Sequence, residues 1–269
     1  MRRNLTILGI LLVFPLFLSC GKIINATCNL FIPESDEAQM GLNFQKEILA
    51  DSAEYPQFRN QTVMGFVDSV GRKILSHQND RADTGILKFT FTVIDKDSVV
   101  NAFAIPGGHV FVYTGLNKAV DNEAELAGVL AHEIGHVTQR HGIQSLCQQG
   151  MLKFVTDIVL GDSSLIGQIV DGMLMLKFSR DNEFQADSCS LVYLENAGYN
   201  PYGMKSFLEK LAANESSWGK IFEPFSTHPN TSDRVKSADR IINNMSGVNA
   251  GDSTSNLFPT RITQIKTML

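Results

Sequence analysis

His132-Glu133-Ile134-Gly135-His136 sets two imidazoles four residues apart with a carboxylate between them. On a helix, residues i and i+4 share a face, so both rings can reach one metal ion. Glu133 lies about 100° round the helix from His132. It is badly placed as a third ligand and well placed to take a proton from water on the metal. Imidazole donors with one open coordination position suit Zn²⁺, which lowers the pKa of bound water to about 7. The same motif also arises by chance on surface helices, but the flanking residues favour the metal. Ala124, Leu126, Ala127, Val129, Leu130, Ala131 and Ile134 are small or apolar, as in a helix packed on most sides. Burying two histidines there is costly unless something binds them.

A catalytic zinc takes three protein ligands and keeps one position for water. The third must come from another element, and Glu183 is the best candidate. It stands in Arg180-Asp181-Asn182-Glu183-Phe184-Gln185-Ala186-Asp187. Asp187, one turn later, can accept an N–H from a ligating histidine and so fix its tautomer. An acidic pair on a helix is ordinarily just solvated; joined to H-E-x-x-H it becomes a candidate site.

The surrounding pattern supplies the elements that must hold these residues. Asp121-Asn122-Glu123 is a helix start, with a cap and first-turn acids. Residues 34–78 read as two helices broken at Tyr55-Pro56, with Met40, Phe44 and Ile48 on the first stripe. Val63, Phe66, Val67, Val70, Ile74 and Leu75 form the second. His77, near the end of the second helix, reads as a solvated or C-terminal dipole residue, and His109 at the turn as structural. Phe89, Phe91 and Val93 alternate with threonines in a strand over 88–94. Residues 99–105 and 109–113 flank Pro106-Gly107-Gly108 as a hairpin. An exposed edge of this sheet could take an extended peptide as an added strand. Residues 143–178 are apolar but interrupted by Asp157, Asp162 and Asp171, which argues against a membrane span; two short helices are expected. Further helices run from Ser179 to Ala197, from Asn200-Pro201 to Leu211, and from Ser232 to about Asn243. The result is an α+β fold, mainly helical, with a small sheet just before the H-E-x-x-H helix. Residues 34–245 form the domain, and 246–269 are read as a flexible tail, whose ending Phe258–Leu269 could instead pack back as a strand or short helix.

With 269 residues, 43% of them hydrophobic, the chain can build a substantial core. Its net charge of −5, without a basic cluster, argues against nucleic acid as a partner. Cys20, Cys28, Cys147 and Cys189 lack metal-type spacing. Arg2 and Arg3 precede an apolar run from Leu5 to Leu18, then Ser19 and Cys20. This is the layout of a secretory signal over residues 1–19, too short for a comfortable membrane span. Phe17-Leu18-Ser19-Cys20 resembles a bacterial lipoprotein signal, in which Cys20 carries the lipid; ordinary secretion is the alternative. A periplasmic location, anchored to the outer membrane through that lipid, is the expectation.

Five blocks then match a known pattern in order: Asn101-Ala102-Phe103-Ala104 with Pro106-Gly107-Gly108; Val112-Tyr113-Thr114-Gly115-Leu116; Glu123 to His141; Glu183 to Asp187; and His228-Pro229 with Asp233-Arg234. The set resembles the gluzincin zinc metallopeptidases, which include the CAAX prenyl protease and the heat-shock membrane protease. It is most similar to the compact periplasmic quality-control members, related to a mitochondrial inner-membrane protease. The resemblance implies a zincin-type metalloprotease domain binding one Zn²⁺ per chain. It implies His132, His136 and Glu183 as ligands, Glu133 as general base and acid, and Asp187 behind the ligands. It further implies that Asn101, Ala102, Phe103 and Ala104 border the substrate cleft, and Arg234 belongs to the matching late block as a substrate contact. His228 either stabilises the oxyanion or acts as an extra ligand that plugs the site. The expected function is endoproteolysis of misfolded or unassembled cell-envelope proteins by Glu-assisted attack of zinc-bound water. The alternative is a chaperone-like envelope assembly factor with latent protease activity.

Overall fold

A computed structural model of the chain describes residues 32–78, 81, 85–149, 167, 172, 178–214, 228, 231–245 and 255–269. The expected signal segment lies outside them, as does most of the apolar stretch 143–178. Helix α1 (Glu34–Ala50) buries Met40, Phe44 and Ile48, the stripe its sequence carries. Helix α2 (Gln61–Leu75) starts at Asn60, whose side chain accepts from the Thr62 and Val63 N–H groups. That caps two donors with no partner inside the helix. Its buried face is Val63, Phe66, Val67, Val70 and Ile74.

Three short strands follow: β1 (Thr90–Ile94), β2 (Ala102–Ile105) and β3 (His109–Tyr113), in the order β1-β3-β2. β2 and β3 form the expected antiparallel hairpin, with Phe103 opposite Phe111. Its turn uses Gly107 and Gly108 at φ 87° and 100°, a region that side-chain-bearing residues avoid. β1 joins β3 in parallel, Thr90 opposite His109. The strands are shorter than the sequence suggests: 88–89 and 99–101 fall outside the ladder.

His109 is buried at the start of β3, its Nδ1 2.8 Å from Thr90 Oγ1. Burial pushes its pKa from 6.5 down to about 4. The unfolded chain therefore takes up this proton first as pH falls. The stabilisation is complete above pH 6.5 and is lost on descending toward about 4. We expect His109→Gln, which can still meet Thr90, to flatten the pH dependence of thermal stability in that window by roughly 3 kcal/mol. Parallel melting curves for the two proteins would refute the assignment.

The short helix α3 (Thr114–Ala119) leads to α4 (Glu123–Thr138), and every residue of α4 is buried. Leu126, Leu130 and Ile134 contribute roughly 1.5–3 kcal/mol each on burial, which helps offset desolvating the polar residues on the same helix. α4 ends where Arg140 turns the chain at φ 61°, and α5 (His141–Gln148) starts in a new direction. This strained corner is held from outside. Arg140 Nε donates to Glu37 Oε2 at 2.9 Å, and Arg81 Nη1 donates to the Val137 carbonyl at 2.8 Å.

Two long helices cover α4: α6 (Arg180–Asn196) and α7 (Tyr202–Asn214). Helix α8 (Thr231–Ile242) lies across both. The last element, α9 (Pro259–Lys266), packs back as a short helix, the alternative to a flexible tail left open for this ending. Residues 255–269 are not a loose tail, because Ile262 and Ile265 enter the main core. The carbonyls of Leu257 and Phe258 accept from the Ala124 and Glu123 N–H groups, capping the start of α4. Arg261 donates to the buried Glu123 carboxylate at 3.0 Å. Among the described residues, no helix is long and apolar enough to cross a membrane.

Candidate metal centre

Each half of the site is fixed by the start of a helix. Asn122 caps α4, its side chain accepting from the Glu125 N–H. Ser179 caps α6 by accepting from the Asn182 N–H. The two helices approach closely because position 135 is glycine. A Cβ there would sit 3.1 Å from Cys189 Cβ and 3.2 Å from the Ala186 carbonyl oxygen. This approach brings Glu183 and Asp187, on the first turns of α6, against His132 and His136.

His132, His136, Glu183 and His228 converge, all buried, with one ligand atom from each within 4.8 Å of the others. His132 Nε2 is 3.0 Å from His136 Nε2 and 3.4 Å from His228 Nδ1. Glu183 Oε1 is 2.9 Å from His228 Nδ1 and 3.5 Å from His136 Nε2. Four donors about 2.1 Å from a tetrahedral zinc would stand about 3.4 Å from one another. These spacings and the N/O donor set fit that ion. Glu133 stays outside the donor group, its Oε1 3.8 Å from His228 Nε2.

A second layer steadies the first. Asp187 Oδ1 lies 2.9 Å from His132 Nδ1, which leaves Nε2 facing the centre. Arg234 grips Asp187 with two bonds of 2.7 Å, and its Nη1 reaches Glu183 Oε2 at 2.9 Å. His136 Nδ1 meets His141 Nδ1 at 2.9 Å, and His141 Nε2 meets Gln185 Oε1 at 2.9 Å. Phe178 stacks on the His136 ring at 4.1 Å.

Burial and neighbouring charge set the ionisation of these groups. Desolvation pushes the Glu133 carboxyl up, outweighing the pull of His228 and His132. It also drives His136 well below the ordinary histidine value, helped by His132 and His228. For Glu183, desolvation is overcome by His228 and Arg234, so its carboxyl is held down. Asp187 likewise resists desolvation through Arg234 and is held far below the usual carboxylate range. His228 is raised: Glu183 outweighs the effect of burial.

The remaining expected site residues fall differently. Arg234, expected as a substrate contact, is 2% exposed and faces two carboxylates, so in this structure it backs the ligands. Asn101 and Ala102 are buried, whereas Phe103 and Ala104 are half-buried. The Ala104 backbone lies near enough to the Glu133 carboxylate to favour its charged form, so part of the expected substrate strand borders the base. Cys20 lies outside the described residues; Cys147 is disulfide-bonded. Sequence reading did not assign roles to His141, Gln185 or Phe178. His141 follows His136 by five residues, off the shared face of a straight helix, and only the left-handed Arg140 brings it back.

The chain is similar to known proteins. Residues 67–242 match the model of peptidase family M48. The chain is 30% identical over 236 residues to a beta-barrel assembly-enhancing protease of Yersinia pestis, covering 82% of this chain and 47% of that protein. It is 30% identical over 206 residues to the mitochondrial metalloendopeptidase OMA1 of Schizosaccharomyces pombe, covering 74% and 59%. It is 33% identical over 147 residues to the metalloprotease YcaL of Escherichia coli, covering 52% and 57%. The chain spans about half the length of the assembly-enhancing proteases it matches. On the family match and on a donor set that fits the metal, the chain belongs to peptidase family M48, whose members are zinc metallopeptidases.

Proposed function

We propose that the chain is a zinc endopeptidase acting on misfolded or unassembled envelope proteins. The observation that carries this reading is the base beside the centre: Glu133 is buried next to four convergent donors yet is not one of them. When bound, zinc supplies a Lewis acid that activates water and polarises the scissile carbonyl. Glu133 takes the water's proton and returns it to the leaving amine. Its raised pKa suits both halves of that exchange. β2 is an edge strand beside α4, and its half-buried Phe103 and Ala104 form the part an extended substrate can reach.

Of the two roles open to His228, the distances favour a fourth donor. Its Nδ1, not its Nε2, faces Glu183 and His132. A catalytic site needs one position free for water, so the imidazole must leave its corner during turnover. This observation also favours the second reading, a resting protein with latent activity.

The same proposal covers location: export by residues 1–19 and an outer-membrane anchor through lipid on Cys20. The Arg2-Arg3 leader ending at Cys20 supports it, as does a disulfide at Cys147, a bond at home outside the cytoplasm. The names of the assembly-enhancing relatives support envelope proteins as substrates.

The test is cleavage of unfolded casein by zinc-loaded wild type and by His228→Ala. Cleavage that stops on chelation and returns with zinc is the expected result. Both proteins holding zinc, suppressing aggregation and leaving casein intact would instead establish the binding role.

A further inference from the structure

The two ligating histidines of α4 are steadied by different chemistry. His132 faces the carboxylate of Asp187. His136 faces a third imidazole, His141, which is fully buried and capped by the Gln185 side chain. His141 has no place in the ligand set and no part in the proton transfers assigned to Glu133.

The hydrogen bonds around it can run in one direction only if His136 is to bind metal. Gln185 presents its amide oxygen, which can only accept, so His141 Nε2–H donates to it at 2.9 Å. A neutral imidazole protonated on Nε2 has a lone pair on Nδ1. His141 Nδ1 therefore accepts from His136 Nδ1–H at 2.9 Å. His136 is then unprotonated on Nε2, the nitrogen that faces His132 Nε2 and Glu183 Oε1. Reversing Gln185 to present its NH₂ group would reverse each bond in turn and place a hydrogen on His136 Nε2, where the metal must sit.

We propose that His141 and Gln185 form a tautomer relay that holds the lone pair of His136 Nε2 on the metal. They are positioning residues, acting on zinc through His136. The use of an imidazole here has a physical reason. The centre already buries Glu133, Glu183 and Asp187, with Arg234 packed against the last two. A carboxylate behind His136 would add another buried negative charge, whereas a neutral ring supplies the acceptor without one. Arg140 makes the relay possible, since its left-handed turn folds His141 back onto the ring of His136.

The inference rests on the zinc-site reading, and wild-type zinc affinity serves as its control. Zinc dissociation constants would be measured by competition with a chromophoric chelator, beside the thermal stability of each zinc-free protein. His141→Leu removes the acceptor and should weaken zinc by roughly 10–100-fold. His141→Asn restores an acceptor oxygen and should recover most of that loss, which a packing role would not require. Gln185→Leu leaves His141 in either tautomer and should weaken zinc by roughly 10-fold. Imidazole nitrogen NMR of the zinc-loaded wild type should show hydrogen on Nδ1 of His136 and on Nε2 of His141. Wild-type affinity in His141→Leu, an equal loss in His141→Asn, or the opposite tautomers would each overturn the relay. If His141→Leu does not fold, Gln185→Leu decides alone, and unchanged affinity there overturns it. A wild type that binds no zinc would remove the centre itself, a failure distinct from any of these.

Discussion

Glu133→Gln should bind zinc like the wild type and hydrolyse peptides 10²–10⁴-fold more slowly, on the order of what a positioned general base contributes. The expectation follows from geometry. The four donors are His132, His136, Glu183 and His228, so the substitution touches none of them. Glutamine has the same shape. It has no site for the proton that must leave water. The loss corresponds to about 3–5 kcal/mol of barrier. The pH profile adds a second reading. A base works deprotonated, and burial raises the Glu133 carboxyl above its usual value. Wild-type kcat/KM should therefore fall as pH drops through a pKa above the ordinary glutamate range. Full zinc occupancy with undiminished hydrolysis in the variant would remove Glu133 from the reaction.

The second large effect is on stability. Arg234→Ala should cost about 3–5 kcal/mol in the zinc-free protein at neutral pH, because it strands two buried carboxylates. Arg234 donates to both oxygens of Asp187 and meets Glu183 at 2.9 Å, and all three side chains are almost wholly buried. Without the guanidinium, desolvation dominates and both carboxyls favour protonation. The deficit should shrink on acidification, as the stranded carboxyls take up protons, and should shrink again on adding zinc, whose charge replaces the one removed. Denaturant unfolding at pH 7 and pH 5, with and without zinc, measures both trends. A loss below about 1 kcal/mol would mean that the pair is not desolvated as described.

These two residues mark what could and could not be read from the chain. Spacing made the α4 face legible, because i and i+4 on a helix leave His132 and His136 little choice. The Glu183-to-Asp187 spacing carried the same information for α6. Arg234 was visible as a residue but not as a counter-charge, since nothing local says which way a buried guanidinium points. His141 was hidden by one left-handed residue, Arg140, that broke the helix period. The hairpin turn announced itself through Gly107 and Gly108, whereas the parallel pairing of β1 with β3 depends on tertiary packing. Burial of Asn101 and Ala102 was likewise invisible, because alternation along a strand does not reveal what covers its edge. Helix α9 has eight residues and buries two of them, too little periodicity to tell a short helix from a strand in the sequence.

Where α9 packs has a bearing on any larger architecture. Residues 257 and 258 close the N-terminal end of the same rod that carries the ligands. His132 is nine residues further along, roughly 14 Å at the rise of an α-helix. A module joined after Leu269 would thus be moored to the butt of the metal-bearing rod. A pull on that mooring would reach the ion through a single rigid strut, with no loop in between to absorb it.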